Sequence, residues 1–277
     1  MKNFDCITIE YFREQELLFW KINDKGRIPD FCLKRLEEFK EFTSWVKDYF
    51  SHPDRPVKFI VSTLGDNDLY SMRNDLSFVT NSIISKDKSA LTLYGYLSVE
   101  AMYQIYNSFG LKALTVAFVE EDIFGGAFEC ALAHDFIVAE EQVEFSLPEN
   151  KLFNMFPGMG AYSLLYRKLN TRDADVILTD RRVYKGRDLY DFGCINKIVE
   201  KSSSVKMLFS YIEKIKERFN FEYYHTQCKK SVFSLTKKEL LNVTDLWVEA
   251  YMDIHPSDLY RMEVMENEQS RKVKVEI

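Results

Sequence analysis

The sequence predicts an α/β fold followed by a helical C-terminal region, and two observations lead to this class. Short apolar runs typical of buried strands alternate with segments of helical periodicity up to about residue 200. Beyond that point the segments are helical and no strong strand pattern occurs. Such alternation indicates βα repeats wound into a coil rather than an antiparallel sandwich. We therefore expect a core over residues 1–200 and a helical region over residues 201–277.

The individual strands and helices are predicted from the spacing of apolar residues and from residue types that are typical of helix ends. Predicted strands cover residues 7–11, 17–22, 57–61, 114–119 and 135–141. Predicted helices cover residues 31–50, 67–85, 98–109, 206–219, 236–254 and 257–268, the first of them begun by Asp30. Thr236 and Glu239 have the spacing of a capping box. The helix that they begin has a predicted apolar stripe of Leu240, Val243, Trp247, Ala250 and Ile254.

Composition and charge exclude several classes of protein. The 277 residues are 46% hydrophobic, enough for one sizeable core, and the net charge of −6 argues against nucleic acid as the main partner. The five cysteines form no C-x-x-C pair, and the four histidines lack metal-ligand spacing, so we expect no disulfide framework, no metal and no cofactor. Neither a signal-peptide core nor a membrane-spanning apolar run occurs. These features predict a soluble, cytoplasmic protein.

The most informative stretch is FGGAFECALAHDFIVAEEQVEFSLPE, residues 124–149. Its Gly-Gly pair begins a short predicted helix that carries Glu129, and Glu149 follows twenty residues later. The glycines allow a substrate carbonyl to approach backbone N–H groups at a helix N-terminus, which favours negative charge. An oxyanion site beside two carboxylates suits proton transfer on a thioester.

Each glutamate, taken alone, also has an ordinary interpretation. Glu129 could point to solvent, and Glu149 could be a loop carboxylate that caps the next helix. However, the neighbours of Glu129 are small or apolar, and a lone carboxylate is costly to bury among them without partners. We therefore expect Glu129 to face a cavity.

The stretch resembles the crotonase (enoyl-CoA hydratase/isomerase) superfamily, whose hydratase branch has GG-x-x-E and a second glutamate twenty residues later. The continuation LPENKLFNMFPGMGAYSLL is similar to a narrower group, the diffusible-signal-factor synthases, which make cis-2-unsaturated fatty acid signals. The segments LGDNDL, AMYQIYNSFGLKALTVAFVE and NVTDLWVEA also match that group. The resemblance implies a crotonase-type spiral of ββα repeats. It also implies that the C-terminal helices cover the site and assemble a homo-oligomer, a trimer or hexamer.

The resemblance further assigns roles to individual residues. Glu129 and Glu149 are the expected catalytic pair, with Glu149 taking the α-proton and Glu129 handling the hydroxyl group or water. The backbone N–H groups of Gly126 and Gly65 are the expected oxyanion hole. Gly65 also suits an ordinary turn, and the Asp66-Asn67 pair that follows departs from the Gly-Gly usual in the signal synthases.

A set of flexible and aromatic side chains suits the wall of an acyl-binding tunnel. For any one of them, packing in the core is the more usual role. The set comprises Phe153, Met155, Phe156, Met159 and Trp247.

By resemblance, the expected activity is dehydration of a 3-hydroxyacyl thioester, on acyl carrier protein or CoA, to a cis-2-enoyl thioester. Thioester hydrolysis would then release a free fatty acid for quorum sensing. The alternatives are an ordinary enoyl-CoA hydratase, a biosynthetic decarboxylase, and a non-catalytic regulator that binds a sensor kinase. The presence of both glutamates and both glycines argues against the regulator.

Overall fold

The computed structural model describes residues 2–22, 31–64 and 75–275 of the chain. Within these residues the strands are β1 (Ile7–Phe12), β2 (Leu17–Ile22), β3 (Phe59–Leu64), β4 (Leu114–Val119), β5 (Ile123–Phe124), β6 (Phe136–Glu140), β7 (Glu144–Ser146), β8 (Tyr184–Lys185) and β9 (Lys197–Val199). The helices up to β9 are α1 (Leu33–Phe50), α2 (Leu76–Ile84), α3 (Lys88–Tyr106), α4 (Gly126–Leu132), α5 (Glu149–Phe153), α6 (Ala161–Lys168), α7 (Thr171–Thr179) and α8 (Gly186–Asp191). The helices after it are α9 (Ser204–Glu217), α10 (Phe219–Val232), α11 (Lys237–Met252) and α12 (Pro256–Val275).

Six strands form the main sheet in the order β1-β2-β3-β4-β6-β9. Only the β1–β2 pair is antiparallel among the described strands of this sheet, and every other neighbouring pair is parallel. Leu64 at the end of β3 is the register partner of Val119 at the end of β4. The carboxyl ends of the central strands therefore lie along one edge, where ligands bind in open parallel sheets.

Helices cover both faces of this sheet, as expected for parallel strands. Phe59 and Val61 of β3 pack on one face together with Leu208 and Ile212 of α9. Ile60, which points to the opposite face, belongs to the larger core that contains α1, α3, α4 and α11. Because successive side chains of β3 point to opposite faces, α4 lies on the same face of the sheet as Ile60.

A second, smaller sheet has the order β5-β7-β8. Strands β5 and β7 are parallel, with Ile123 opposite Phe145 and Phe124 opposite Ser146. This pairing brings the start of α4, which follows β5, beside the start of α5, which follows β7. The two short strands thus bring together two segments that are about twenty residues apart in the chain.

The described part of the chain after β9 is helical. Helix α11 packs closely on α3, because a Cβ added to Gly95 would lie only 2.5 Å from the Thr244 methyl carbon. Helix α12 contacts α2 and α5. In the described ranges, no helix is long and apolar enough to cross a membrane.

Most predicted elements are confirmed, with shifts at several ends. Strands β1, β2, β4 and β6 are found where expected, whereas β3 begins two residues later than predicted. Helix α1 begins at Leu33 after Cys32, and Asp30 lies outside the described residues, as do residues 67–74 of the second predicted helix.

Two predictions about helices were wrong. Helix α3 begins ten residues before the predicted start at Ser98, because the Asp87 carboxylate caps it by accepting from Ala90 N at 2.9 Å. Helix α10 was not predicted at all. Its aromatic residues do not form a buried stripe, and Phe221 and Tyr224 are exposed.

Candidate active site

Helix α4 carries Glu129 into the interior of the molecule. Gly125, the residue before this helix, has a φ of +54°, a conformation that strongly favours glycine, and its N–H donates to the Ser146 carbonyl at 2.9 Å. Every residue of α4 is buried, and the Phe128 ring packs edge-on against Phe145 of β7. The position of Glu129 is therefore fixed by packing on both sheets.

The carboxylate of Glu129 is held by three backbone N–H groups. Its Oε1 accepts hydrogen bonds from Met159 N at 3.0 Å and from Gly160 N and Ala161 N at 2.9 Å each. Ala161 is the first residue of α6, so Glu129 caps the N-terminus of that helix, where negative charge is favoured. These bonds link α4 to the turn over residues 157–160.

Glu149 is equally buried but has a different environment. It is the first residue of α5, and its Oε2 is buried without a hydrogen-bond partner among the residues described. A Cβ added to Gly125 would lie 2.9 Å from Glu149 Oε1. The glycine therefore makes room for this carboxyl group as well as forming the turn.

The two environments separate the protonation states of the pair. Burial, and then the charge of Glu129, raises the pKa of Glu149 from an ordinary value of 4.5 to about 8. Burial also raises the pKa of Glu129, and the three N–H donors oppose that rise by stabilising its ionised form. The three hydrogen bonds thus favour the ionised form at Glu129, whereas burial and the neighbouring charge favour the protonated form at Glu149.

A cavity of about 260 Å³ adjoins Glu149, Gly125 and Gly126, whereas Glu129, which the sequence predicted to face a cavity, does not line it. Its remaining wall is largely apolar, with contributions from α2, α5, α11 and α12. Phe153, Trp247 and Tyr251 are among the wall residues. A carboxyl group, a helix N-terminus and an apolar wall thus meet at one cavity, an arrangement that suits an acyl group with a polar reacting end.

Trp247 of α11 supports the turn that holds Glu129. A Cβ added to Gly158 would lie 2.2 Å from the indole Cγ, so the ring occupies the space that a larger residue would need. The Thr244 hydroxyl donates to the Gly158 carbonyl at 2.9 Å. Helix α11 therefore fixes the turn over residues 157–160 from the side opposite Glu129.

Comparison with known proteins identifies the family. The family model described as enoyl-CoA hydratase/isomerase matches residues 84–256, more than half of the chain, including both glutamates, Gly126 and Trp247. The chain belongs to the enoyl-CoA hydratase/isomerase family.

Solved structures confirm the crotonase fold that the sequence predicted. Enoyl-CoA hydratase from Bacillus halodurans is similar with a TM-score of 0.76 and 15% identity, over 94% of this chain and 100% of that one. Human mitochondrial delta3-delta2-enoyl-CoA isomerase also gives a TM-score of 0.76, with 12% identity, over 97% of this chain and 99% of that one. At such identities the likeness establishes the fold alone.

A curated relative matches over a shorter stretch. Carnitinyl-CoA dehydratase of Salmonella paratyphi B (strain ATCC BAA-1250 / SPB7) is 36% identical over 95 residues. That stretch is 34% of this chain and 36% of the dehydratase, so the chain matches only about a third of the length of this relative.

Within the family fold, the predicted wall residues separate into two groups. Phe153 and Trp247 line the cavity. Met155, Phe156 and Met159 do not lie on its wall among the described residues: both methionines are buried in the core, and Phe156 packs edge-on against another ring. Of these three, Met159 approaches Glu129, and it does so through its backbone N–H and not through its side chain.

Of the predicted oxyanion pair, only Gly126 can be placed. It begins α4 and lines the cavity beside Glu149. Gly65 lies outside the described residues, together with Asp66 and Asn67. The second oxyanion donor therefore stays a prediction.

Tyr251 lines the cavity, and the sequence interpretation missed it. The buried face of α11 consists of Leu240, Thr244, Trp247, Val248 and Tyr251. The predicted stripe passed instead through Val243 and Ala250, which are only half buried. Extending one turn from Trp247 would have found Tyr251, but the polar Thr244 obscured the true face.

The other titratable groups near α4 do not suggest a metal site. His134 is buried, with Nε2 2.8 Å from Ser62 Oγ and Nδ1 2.9 Å from the Cys130 carbonyl oxygen. Burial lowers the pKa of His134 to about 4, so the ring is neutral and structural. In the part of the chain that is described, no group of three or more His, Cys, Asp or Glu side chains could hold a metal ion.

Proposed function

We propose that this member of the enoyl-CoA hydratase/isomerase family moves water on and off the C2–C3 bond of an acyl thioester. The observation that carries the proposal is a pair of buried carboxyl groups whose environments separate their protonation states, with Glu149 on the wall of a largely apolar cavity. Separated protonation states of this kind are what paired acid–base catalysis requires.

In the hydration direction, each group begins in the protonation state described above. Glu129 accepts a proton from water as the water oxygen bonds to C3, and the C2–C3 π electrons move towards the thioester oxygen. The Gly126 N–H, with the expected Gly65 N–H, stabilises that developing charge. Glu149 then delivers its proton to C2, and the pair regains its starting state when the proton on Glu129 returns to Glu149.

Dehydration follows the same path in reverse. Glu149, now ionised, removes the C2 proton, and Glu129, now protonated, donates to the departing hydroxyl group. This division of labour is the one that the family resemblance predicts. Hydration and dehydration both require the two glutamates to hold a single proton between them. The activity in both directions should therefore decline above the same pH.

We therefore expect activity in both directions to fall as the pH rises through about 8. The pKa of Glu149 is raised, so the shared proton is retained up to that pH and lost above it. The measurement is kcat/KM for hydration and for dehydration between pH 5 and pH 10. Different upper limits for the two directions would show that the glutamates do not act as a pair with one shared proton.

The proposed substrate is a 3-hydroxyacyl chain on acyl carrier protein, which is dehydrated to a cis-2-enoyl thioester and hydrolysed to a free acid. Support comes from the similarity of LPENKLFNMFPGMGAYSLL to the signal synthases and from the wall formed by Phe153 and Trp247. The curated relative described above is named a dehydratase, in agreement with the proposed direction.

This proposal is tested by the products that the purified protein releases. We expect a free medium-chain 2-enoic acid from 3-hydroxyacyl carrier protein, identified by mass spectrometry. The Glu149→Gln variant and the unloaded carrier serve as controls. Reversible hydration of short enoyl-CoA without any free acid would place the protein among ordinary hydratases and exclude the thioesterase step.

We also propose that the C-terminal helical region assembles a homo-oligomer. The supporting observation is a group of exposed apolar side chains on and just after α10. These residues are Phe221, Tyr224, Val232 and Phe233. Large apolar side chains grouped at a surface are typical of an interface.

A further inference from the structure

Tyr251 of α11 contributes a phenol side chain to the wall of the cavity. It lies one helical turn after Trp247, and the two rings are in contact, with centroids 4.6 Å apart. The side chain is buried, and it lines the same cavity as Glu149. Helix α11 is itself fixed against α3 at Gly95, so the hydroxyl is carried on a rigid element.

This hydroxyl keeps its proton well above the pH at which an ordinary phenol loses it, because its pKa is raised. Burial, and then the charges of Glu149 and Glu129, raises the pKa of Tyr251 far above its usual value, while the Trp247 side chain opposes the rise by donating towards the phenol oxygen. The phenol therefore stays protonated, and its O–H can donate to an acceptor.

Glu149 does not use this donor. Its Oε2 accepts no hydrogen bond from any residue that the structure describes, Tyr251 included. The phenol nevertheless lies within electrostatic range of both carboxyl groups. An oxygen atom that reacts between the two glutamates would thus meet the O–H of Tyr251 as well as the carboxyl groups.

We propose that the Tyr251 hydroxyl donates a hydrogen bond to the oxygen at C3 of the substrate. That oxygen belongs to the 3-hydroxyl group in dehydration and to the attacking water in hydration. Tyr251 is then a catalytic residue that selects substrates with oxygen at C3 and leaves proton transfer at C2 to Glu149. The inference rests on the proposed function and adds a recognition step to it.

The test uses Tyr251→Phe, which keeps the ring and its contact with Trp247. Two reactions of the same variant are compared. Hydration of a 2-enoyl thioester involves the C3 oxygen, whereas exchange of the C2 protons of a saturated thioester with D₂O does not. We expect kcat/KM for hydration to fall by about 10- to 100-fold, as for the loss of one hydrogen bond to an oxygen that gains charge. We expect the exchange rate to stay within about 2-fold, because exchange lacks that bond.

Tyr96→Phe is the matched control. The hydroxyl of Tyr96 on α3 donates to Asp245 of α11, the helix that carries Tyr251, at 2.8 Å. Tyr96 lies at the surface and does not line the cavity. Both reactions should be unchanged in this variant. The ratio of hydration to exchange does not depend on the fraction of folded enzyme, so the test remains valid if Tyr251→Phe is less stable.

Two outcomes would overturn the inference. Unchanged hydration would exclude a contact with the C3 oxygen, and an equal fall in both reactions would mean that Tyr251 acts by positioning Glu149. Failure of the proposed function is distinguishable from either, because the unmodified protein would then not catalyse hydration.

Discussion

Glu129→Gln and Glu149→Gln are each expected to lower hydration and dehydration of the acyl thioester by about 10²- to 10⁴-fold. Glutamine keeps the shape of each side chain but cannot take up or release the shared proton. Both glutamates are buried, and the substitutions remove a charge or a proton without changing volume, so the fold should persist. Steady-state kinetics with a 2-enoyl and a 3-hydroxyacyl thioester would measure the effect, and circular dichroism would check the fold.

The two variants should differ in a second reaction. Exchange of C2 protons with D₂O requires Glu149 alone, so Glu149→Gln should abolish exchange while Glu129→Gln retains it. The opposite result would reverse the roles assigned to the two glutamates. Near-normal turnover by either variant would remove that residue from the catalytic pair.

Glu129→Ala is expected to destabilise the fold by at least about 3 kcal/mol, because it leaves buried backbone donors without an acceptor. The three donors are the N–H groups of residues 159–161, which all bind Oε1 of Glu129. Glu129→Gln keeps an oxygen at this position and should be much milder. The free energy of unfolding in urea, measured for both variants near neutral pH, gives the difference.

Glu149→Ala is the control for this second prediction. Glu149 is also buried, but its Oε2 has no hydrogen-bond partner in the described structure, and the one backbone N–H that favours its ionised form is its own, so its removal leaves fewer donors unsatisfied. We expect a smaller loss of stability than for Glu129→Ala. Equal losses would mean that burial of a carboxyl group, and not its hydrogen bonds to the turn, decides the cost.

The sequence was sufficient to predict the fold class, because the central strands β4 and β6 are short apolar runs that are buried on both faces along nearly their whole length. It also predicted that Glu129 and Glu149 would lie in neighbouring segments. The structure explains this through the parallel pairing of β5 and β7, which places the two segments side by side. The pattern of glycines and spacing was specific enough to indicate the superfamily.

The partners of Glu129 could not be predicted, because they are backbone N–H groups and leave no mark in the sequence. Met159 was interpreted through its side chain as part of an acyl wall, yet it contributes an N–H to the site. Tyr251 was missed for a different reason. The predicted stripe on α11 was rotated away from the true buried face, where a threonine binds the Gly158 carbonyl.

The docking of Trp247 and Thr244 on Gly158 determines when the enzyme can first work during its synthesis. Glu129 and the turn that holds it leave the ribosome well before α11, since the N-terminal part of a chain is made first. Until α11 emerges, nothing from that helix fills the space beside Gly158 or binds its carbonyl oxygen. The nascent chain therefore carries both glutamates for the time taken to make about ninety further residues, yet it lacks the support that aligns them. The site is complete only once the late helix has docked.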